Sequence, residues 1–395
     1  MPLDSDVAIL GTGVASLAAA NLLISQGISV LLLNPDRDFF LEDSELPLDP
    51  LIYGKLSAQK ILRNSPENAL KFLRPDFPGA IEYWSGTTPM DGYHDPSAPH
   101  VRQRGRLWIS SANSSVQRPW EALEDFYVEA SDADLHPQLF DDWVTIQRFP
   151  GCSSHSLHMK GLFVPKLCDV DTVRYRNGLL EFVRERLPEE KFINGVTQLE
   201  WMPEGIRFHS DGTLKTAKLR KKMLAFWTPR LTPWILYQAK TAEIKPKLPI
   251  GARLWEDWLL NSREAPDPQT IGTFNNMIVW AHSEGAPSKD SPTPLLAILR
   301  AGPLIQLEEI HLPKSGGISS DSFKSLSDLC HGFLKWESFS IRSLKTRIIF
   351  EWDDEVKWLL SKSEPLIEVI PACDGPLVDV VRVARSACEP ILMEA

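Results

Sequence analysis

Apolar runs near the start of the chain alternate with small and polar residues in an order that predicts three elements. Residues 7–10 form a short apolar run, which is typical of a strand buried on both faces. Residues 17–25 favour a helix, Gly27 ends that helix, and residues 28–33 have the composition of a second buried strand. A strand, a helix and a strand in so short a segment predict a βαβ unit whose two strands are parallel.

The turn between the first strand and the helix has the glycine pattern of a dinucleotide-binding turn. Gly11 allows a tight turn, Gly13 leaves room for a phosphate near the backbone, and Ser16 is small enough for close helix packing. The N–H groups at the start of the helix suit a pyrophosphate. Asn34 ends the second strand where a carboxylate normally binds the ribose, and an uncharged amide binds more weakly. The sequence therefore predicts a dinucleotide site, and the alternative is an ordinary βαβ unit with a small-residue turn.

Further elements are predicted in two later blocks of the chain. The first block contains a helix over 172–187, strands over 196–201 and 206–209, and a strand that ends at Ala225. The second block contains a strand over 366–370, a turn, and an apolar-rich helix over 378–391 that we expect Pro390 to break. The order of the three blocks is the basis for the fold prediction that follows.

With these blocks the chain resembles the FAD-dependent oxidoreductases of the glutathione-reductase-like superfamily, and most of all their D-amino-acid oxidase and glycine oxidase branch. The resemblance implies an α/β fold, with a Rossmann-like FAD-binding domain (βαβ unit, parallel sheet) and a second, antiparallel-sheet substrate domain. It also implies that FAD is the cofactor, that the backbone at Val196 touches the adenine and that Asp374 binds the ribityl chain. The implied cofactor-binding positions are Gly11, Thr12, Gly13, Val14, Ala15, Ser16, Asn34, Arg37, Val196, Ala225, Asp374 and Gly375.

Three positions depart from the pattern of that family. Asn34 replaces the ribose-binding carboxylate, Trp227 stands where the return strand normally ends in glycine, and Cys373 replaces another glycine. A tryptophan cannot fill the volume that a glycine leaves open unless backbone or ligand moves. These departures favour an alternative in which the fold persists, redox activity is reduced or lost, and the chain is a structural or assembly partner of a catalytic chain.

The separation of the three blocks predicts a discontinuous nucleotide domain. We expect residues 1–75, 160–240 and 345–395 to bind FAD, and residues 76–159 and 241–344 to form the substrate domain over it. Apolar runs between polar loops in the second insert are typical of an antiparallel sheet. Because a carboxylate substrate needs an arginine as a bidentate anchor, Arg300 and Arg347 on predicted strands are candidate anchors. The sequence identifies no catalytic acid, base or nucleophile.

Charge and cysteine usage exclude several classes of protein. The 395 residues carry a net charge of −10, which disfavours binding to nucleic acid or to an anionic membrane. The five cysteines contain no Cys-x-x-Cys pair and predict neither a disulfide framework nor a zinc site, which favours a cytoplasmic location. No metal is predicted, because His155 and His158 match no strong metal-site spacing. The glycines and polar residues within 7–33 argue against a membrane span.

Two groups of basic residues are interpreted as solvent-facing. Arg102, Arg104 and Arg106 would share one face of a strand, and the basic run over 215–222 would lie at the edge of a meander. The function predicted from the whole sequence is oxidation of an amine, amino acid or similar small polar molecule by hydride transfer to flavin. A protein partner or a homo-oligomer stays open, and the two later blocks disfavour an NAD(P)-using enzyme.

Overall fold

A computed structural model describes most of the chain. The described residues are 3–35, 55–85, 95, 97–103, 105–111, 119–140, 159–202, 204–227, 231–241, 243, 245, 248–249, 251–261, 272–274, 277–282, 295–305, 320–333, 337–351, 358–359, 366–371 and 377–394. Among these residues, no helix is both long and apolar enough to cross a membrane.

Nineteen strands lie within the described part of the chain. They are β1 (Ser5–Leu10), β2 (Val30–Asn34), β3 (Glu82–Ser85), β4 (His100–Gln103), β5 (Arg106–Ser111), β6 (Gln138–Phe140), β7 (Met159–Val164), β8 (Cys168–Val170), β9 (Phe192–Asn194), β10 (Val196–Met202), β11 (Gly205–Ser210), β12 (Thr213–Trp227), β13 (Gly251–Asn261), β14 (Gly272–Phe274), β15 (Met277–His282), β16 (Leu295–Ile305), β17 (Ser340–Glu351), β18 (Trp358–Leu359) and β19 (Leu366–Pro371).

The described residues also form eight α-helices. They are α1 (Val14–Ser25), α2 (Lys55–Leu62), α3 (Pro66–Leu73), α4 (Pro119–Asp132), α5 (Thr172–Arg186), α6 (Thr232–Thr241), α7 (Ser320–Ser327) and α8 (Leu377–Met393). A 3₁₀ turn at Glu189–Lys191 precedes β9, and a π-helical turn at Asp328–Phe333 continues α7.

The larger sheet has a parallel centre. Its strand order is β10-β11-β12-β1-β2-β9, with β19 also beside β12 and β18 outside β19. Neighbours among β9, β2, β1, β12 and β19 are parallel, whereas β10, β11 and the first half of β12 form an antiparallel meander. The long strand β12 thus links the meander to the centre of the sheet. This arrangement confirms the predicted βαβ unit and Rossmann-like sheet, with shifts of a few residues at the ends of the elements.

Two hydrophobic cores cover the two faces of this sheet. Alternate residues of each strand enter different cores, which explains why these strands are apolar at nearly every position. The core beneath α1, α5 and α8 receives Val7, Ile9, Leu32, Leu224 and Phe226. The core beneath α6 receives Ala8, Leu10, Leu33, Met223, Ala225 and Trp227.

This alternation decides where Trp227 lies. Its indole is fully buried in the core that contains Ile235 and Ala239 of α6. The face of the sheet that packs against α1 instead receives Phe226. Trp227 therefore packs on the face of the sheet opposite α1, and its effect on a bound cofactor stays a prediction.

A second, antiparallel sheet is built from the later part of the chain. Its order is β14-β15-β16-β13-β17, and β14 lies against β5 of a smaller sheet ordered β5-β7-β6. Helices α2 and α4 cover β5 and β7 through a core that includes Ile61, Trp108, Phe126 and Leu162. The predicted α/β class with a second antiparallel sheet is confirmed. Within this sheet β14 and β15 are antiparallel neighbours.

The interpretation of Arg102, Arg104 and Arg106 as one solvent-facing set is wrong. Arg102 lies in β4, over the Trp84 ring at 4.5 Å, whereas Arg106 begins β5 in a different sheet. Arg106 is buried and pairs with Asp169 at 3.1 Å. The strand breaks because Gly105 has φ +72°. Arg104 lies outside the described residues.

Two further expectations are corrected by burial. Lys222 is buried rather than solvated, because its Nζ pairs with Glu368 Oε2 at 3.2 Å. Pro390 does not end the last helix, which continues to Met393. Only the last turn follows this proline, and the adjacent Ile391 is fully buried in the α1 core, so packing holds the turn in place.

The limits of the two domains stay a prediction. Strands β3, β4 and β8 form their own sheet, and Val101 and Val170 of this sheet, with Ile81 just before β3, join the core that contains α1. We therefore propose that β3 and β4 pack with the nucleotide domain, although the sequence assigns them to the substrate domain.

Candidate functional site

The turn after β1 lies at the carboxyl edge of the parallel sheet, where open α/β sheets bind their ligands. Gly11 has φ +106°, a conformation that side chains other than glycine adopt at a cost. Its N–H donates to Leu33 O at 2.8 Å, which ties the turn to the end of β2. A Cβ at Gly11 would lie 3.0 Å from the Ser16 hydroxyl oxygen, so the turn leaves no room for a side chain there.

Helix α1 presents its N-terminus at this edge without a side-chain cap. Gly13 is the N-cap residue, no side chain accepts a hydrogen bond from the first turn, and that turn contains no acidic residue. The Ser16 hydroxyl instead bonds back to Leu10 O at 3.4 Å. The N–H groups that begin a helix carry partial positive charge, so this end of α1 suits an anion. Thr12, Val14 and Ala15 complete the turn and the start of the helix.

A buried arginine reaches the same turn from α5. Arg176 is 4% exposed, and its Nη2 donates to Thr12 O at 3.3 Å. The guanidinium holds the carbonyl of the turn and places a positive charge next to it. Sequence analysis did not identify Arg176, since only the fold brings α5 beside the turn.

The predicted ribose position is an asparagine pair. Asn34 is buried at the end of β2, and its Nδ2 donates to Asn194 Oδ1 of β9 at 3.1 Å. Val196, the predicted adenine contact, follows two residues after Asn194 and is also buried. The structure therefore brings Asn34 and Val196 to neighbouring positions, which sequence separation alone does not show.

The other predicted cofactor positions are distributed as follows. Ala225 is fully buried and pairs with Leu10 across β12 and β1, one residue before the turn. Arg37, Asp374 and Gly375 lie outside the described residues, as does Cys373. The described positions fit a dinucleotide, since the turn has no room for a side chain at Gly11 and no cap at the start of α1.

The two candidate substrate anchors occupy different faces of the antiparallel sheet. Arg300 is paired in register with Glu256 and Met277, whereas Arg347 is paired with Trp255. Because Trp255 and Glu256 are successive residues of β13, the two arginine positions lie on opposite faces. At most one of them can therefore face a given substrate site.

Two buried groups are kept in their neutral forms. Burial, and then the carboxylate of Asp76, raise the pKa of Tyr175, while Arg385 opposes the shift. Its hydroxyl donates to Leu73 O at 3.4 Å, so Tyr175 is a packing residue behind the turn. Burial raises the pKa of Cys330 to about 12, which keeps this thiol protonated and unreactive at neutral pH.

Comparisons with known proteins match the fold of the whole chain. No protein-family model matches the sequence, and no curated protein matches it. L-proline dehydrogenase from P. horikoshii superposes with a TM-score of 0.66 at 12% identity, over 99% of this chain and 94% of its own. Glycine oxidase from Geobacillus kaustophilus gives 0.57 at 12% identity, over 99% and 95%. L-alpha-glycerophosphate oxidase from Mycoplasma pneumoniae, with FAD bound, gives 0.64 at 12% identity, over 99% and 95%.

These matches include both sheets, because they extend over nearly the full length of this chain and of each neighbour. The chain therefore has the fold of the D-amino-acid oxidase and glycine oxidase branch of flavoproteins, and the resemblance seen in the sequence is confirmed at the level of the fold.

Proposed function

We propose that the protein is an FAD-dependent oxidoreductase that oxidises an amino acid or a similar small amine. The observation that carries this proposal is the turn after β1, where Gly11 and Gly13 open the backbone and the start of α1 has no cap and no acid. A diphosphate at this point would receive hydrogen bonds from backbone N–H groups. When bound, the flavin accepts the hydride, and the protein supplies position and charge.

The comparisons support the choice of cofactor and substrate class. One structural neighbour is an oxidase with FAD bound, and two are named for an amino acid substrate, proline or glycine. We propose that the cofactor-binding positions named from the sequence hold FAD in this chain, and that Arg347 or Arg300 binds a substrate carboxylate. We also propose a cytoplasmic location, because the described cysteines Cys168, Cys330 and Cys388 are free and buried.

One observation favours a second candidate function. The neutral pair of Asn34 and Asn194 replaces a carboxylate, and charge-assisted hydrogen bonds are about twice as strong as neutral ones. Weak binding of FAD would suit a flavoprotein-fold subunit that assembles with a catalytic chain. A flavin-free protein that purifies with a second, catalytic chain would support this alternative, whereas turnover by the isolated protein would exclude it.

The proposal is tested by the visible absorption spectrum of the purified protein and by titration with FAD. We expect flavin absorption bands and about one FAD bound per chain. The variant Gly13→Asp places a carboxylate at the phosphate position. Gly13 has φ −67°, and aspartate is a favoured N-cap residue, so this variant should fold normally and lose FAD binding.

The control is the same substitution at a distant glycine, Gly212→Asp. Gly212 lies in an exposed turn with open space around it, and aspartate tolerates its positive φ better than most residues. This variant should bind FAD as the unaltered protein does. A colourless protein that takes up no FAD, or equal FAD binding by Gly13→Asp, would overturn the proposal.

A further inference from the structure

A buried ion pair lies at the start of α8. The carboxylate of Asp379 is completely buried, and its Oδ1 accepts from Arg63 Nη1 at 2.6 Å and from Arg382 Nε at 3.1 Å. Its Oδ2 is also buried and accepts no hydrogen bond from any described residue. Because two guanidinium groups share Oδ1, the buried carboxylate fixes the position of the Arg63 side chain.

The position of this pair follows from the packing of α8 beside α1. Both helices follow a strand of the parallel sheet and run in the same direction, and Cys388 Sγ contacts Ala19 O at 3.8 Å. Ala19 comes five residues after Val14, whereas Asp379 comes nine residues before Cys388. Asp379 therefore lies near the level at which α1 begins. Its partner Arg63 is held close to the same end of the sheet.

Arg63 is the member of the group that can reach a ligand. Its side chain is 41% exposed, and its hydrogen bond to Asp379 uses only one of the five N–H donors of a guanidinium. Arg63, Arg382 and Asp379 together carry a charge of +1, so the group attracts an anion.

We propose that Arg63 binds the diphosphate of the dinucleotide at the start of α1, and that Asp379 is the positioning residue that holds its guanidinium there. This inference rests on the proposed function and adds a cation that the glycine turn lacks. A diphosphate would accept hydrogen bonds from the N–H donors that Arg63 does not use on Asp379. Neither residue is recognisable from the sequence, because 316 positions separate them.

The test measures binding of FAD, by flavin fluorescence, and of ADP, by calorimetry, to the full chain. We expect Arg63→Gln to weaken both affinities about tenfold or more, since it removes a charge-assisted hydrogen bond. It should also reduce the dependence of both affinities on salt concentration. Arg63→Lys should retain part of the affinity. The matched control is Arg74→Gln, an arginine at the end of α3 that contacts Ile81 O and should bind both ligands within twofold of the unaltered protein.

The positioning role of Asp379 is tested by a double-mutant cycle. Asp379→Asn should weaken FAD binding less than Arg63→Gln does, and combining the two should add little to Arg63→Gln alone. Additive losses, or FAD binding by Arg63→Gln within twofold of the unaltered protein, would overturn the inference and leave the proposed function intact. If the unaltered protein binds neither FAD nor ADP, both fail. Should Asp379→Asn not fold, the result with Arg63→Gln alone decides.

Discussion

A neutral pair of side chains occupies the position at which this fold usually carries a negative charge. Asn34 donates to Asn194 from the end of one parallel strand to the end of the next. The pair satisfies part of the polar groups of the buried amide of Asn34 and of the exposed amide of Asn194 without any ligand, and it offers the ribose no ionised acceptor. If FAD binds as proposed, we therefore expect this pair to hold the ribose less strongly than a carboxylate would.

The first prediction concerns this position. Replacing Asn34 with glutamate should raise the affinity for FAD about threefold to tenfold, because an ionised acceptor makes stronger hydrogen bonds to ribose hydroxyls. Without FAD, the same variant should be less stable to urea than the unaltered protein, since the carboxylate is buried at a position that is 7% exposed. Titration of the protein with FAD measures the affinity, and urea unfolding of the FAD-free protein measures the stability.

The matched control is Asn177→Glu, the same substitution on the exposed side of α5. It should alter neither the FAD affinity nor the urea midpoint beyond small surface effects. If Asn34→Glu binds FAD no better than Asn177→Glu does, the ribose does not lie at the end of β2.

At the scale of the elements, one glycine separates two sheets. Gly105 has φ +72° and divides β4, whose Val101 enters the core beneath α1, from β5, which packs with α2 and α4. A Cβ at this glycine would lie 2.6 Å from the Phe163 ring and 3.0 Å from Pro165 Cα. The glycine is therefore required both for the turn and for the close approach of β7.

We predict that Gly105→Ala lowers the free energy of unfolding by about 2–4 kcal/mol. Positive φ costs alanine about 1 kcal/mol or somewhat more, and overpacking against Phe163 and Pro165 adds about 1–3 kcal/mol. Gly212→Ala isolates the first contribution, because Gly212 has the same φ of +72° and nothing within 4 Å of its Cβ position. Urea unfolding of both variants measures the difference, and equal losses would show that packing at Gly105 contributes nothing.

The elements show which features a sequence can predict. The βαβ unit was predictable because apolar runs and glycines act locally, within one turn or one strand. Contacts between distant segments, such as Arg176 with Thr12 or Asn34 with Asn194, were not predictable, since they leave no local pattern in the sequence. The face on which Trp227 packs was not predictable for the same reason: its position along β12 was visible, whereas the face of the sheet that it occupies depends on the register with β1 and β19.

At the scale of the whole molecule, the two sheets carry different parts of the proposed function. The parallel sheet carries the turn for the cofactor, and the antiparallel sheet carries the candidate substrate anchors. Helix α7 covers one face of the antiparallel sheet, because Ser322 Oγ donates to Glu256 Oε1 at 2.6 Å. The position of Arg300 is on this face, directly opposite Glu256, where opposite charges stabilise a sheet. The position of Arg347 is on the other face, opposite Trp255.

These register positions favour Arg347 over Arg300 as the anchor of a substrate carboxylate. We expect Arg347→Met to retain FAD but to require at least tenfold more amino acid for anaerobic bleaching of the flavin, because the bidentate ion pair is lost. The flavin of Arg300→Met should be bleached by the same amino acid concentration as the flavin of the unaltered protein. This variant should instead have a lower urea midpoint, since Glu256 loses the residue opposite it on the neighbouring strand.

A panel of amino acids, and of the corresponding amines without a carboxylate, separates the two roles. Only substrates with a carboxylate should respond to Arg347→Met. The opposite result, in which Arg300→Met impairs bleaching and Arg347→Met does not, would place the substrate on the face that α7 covers.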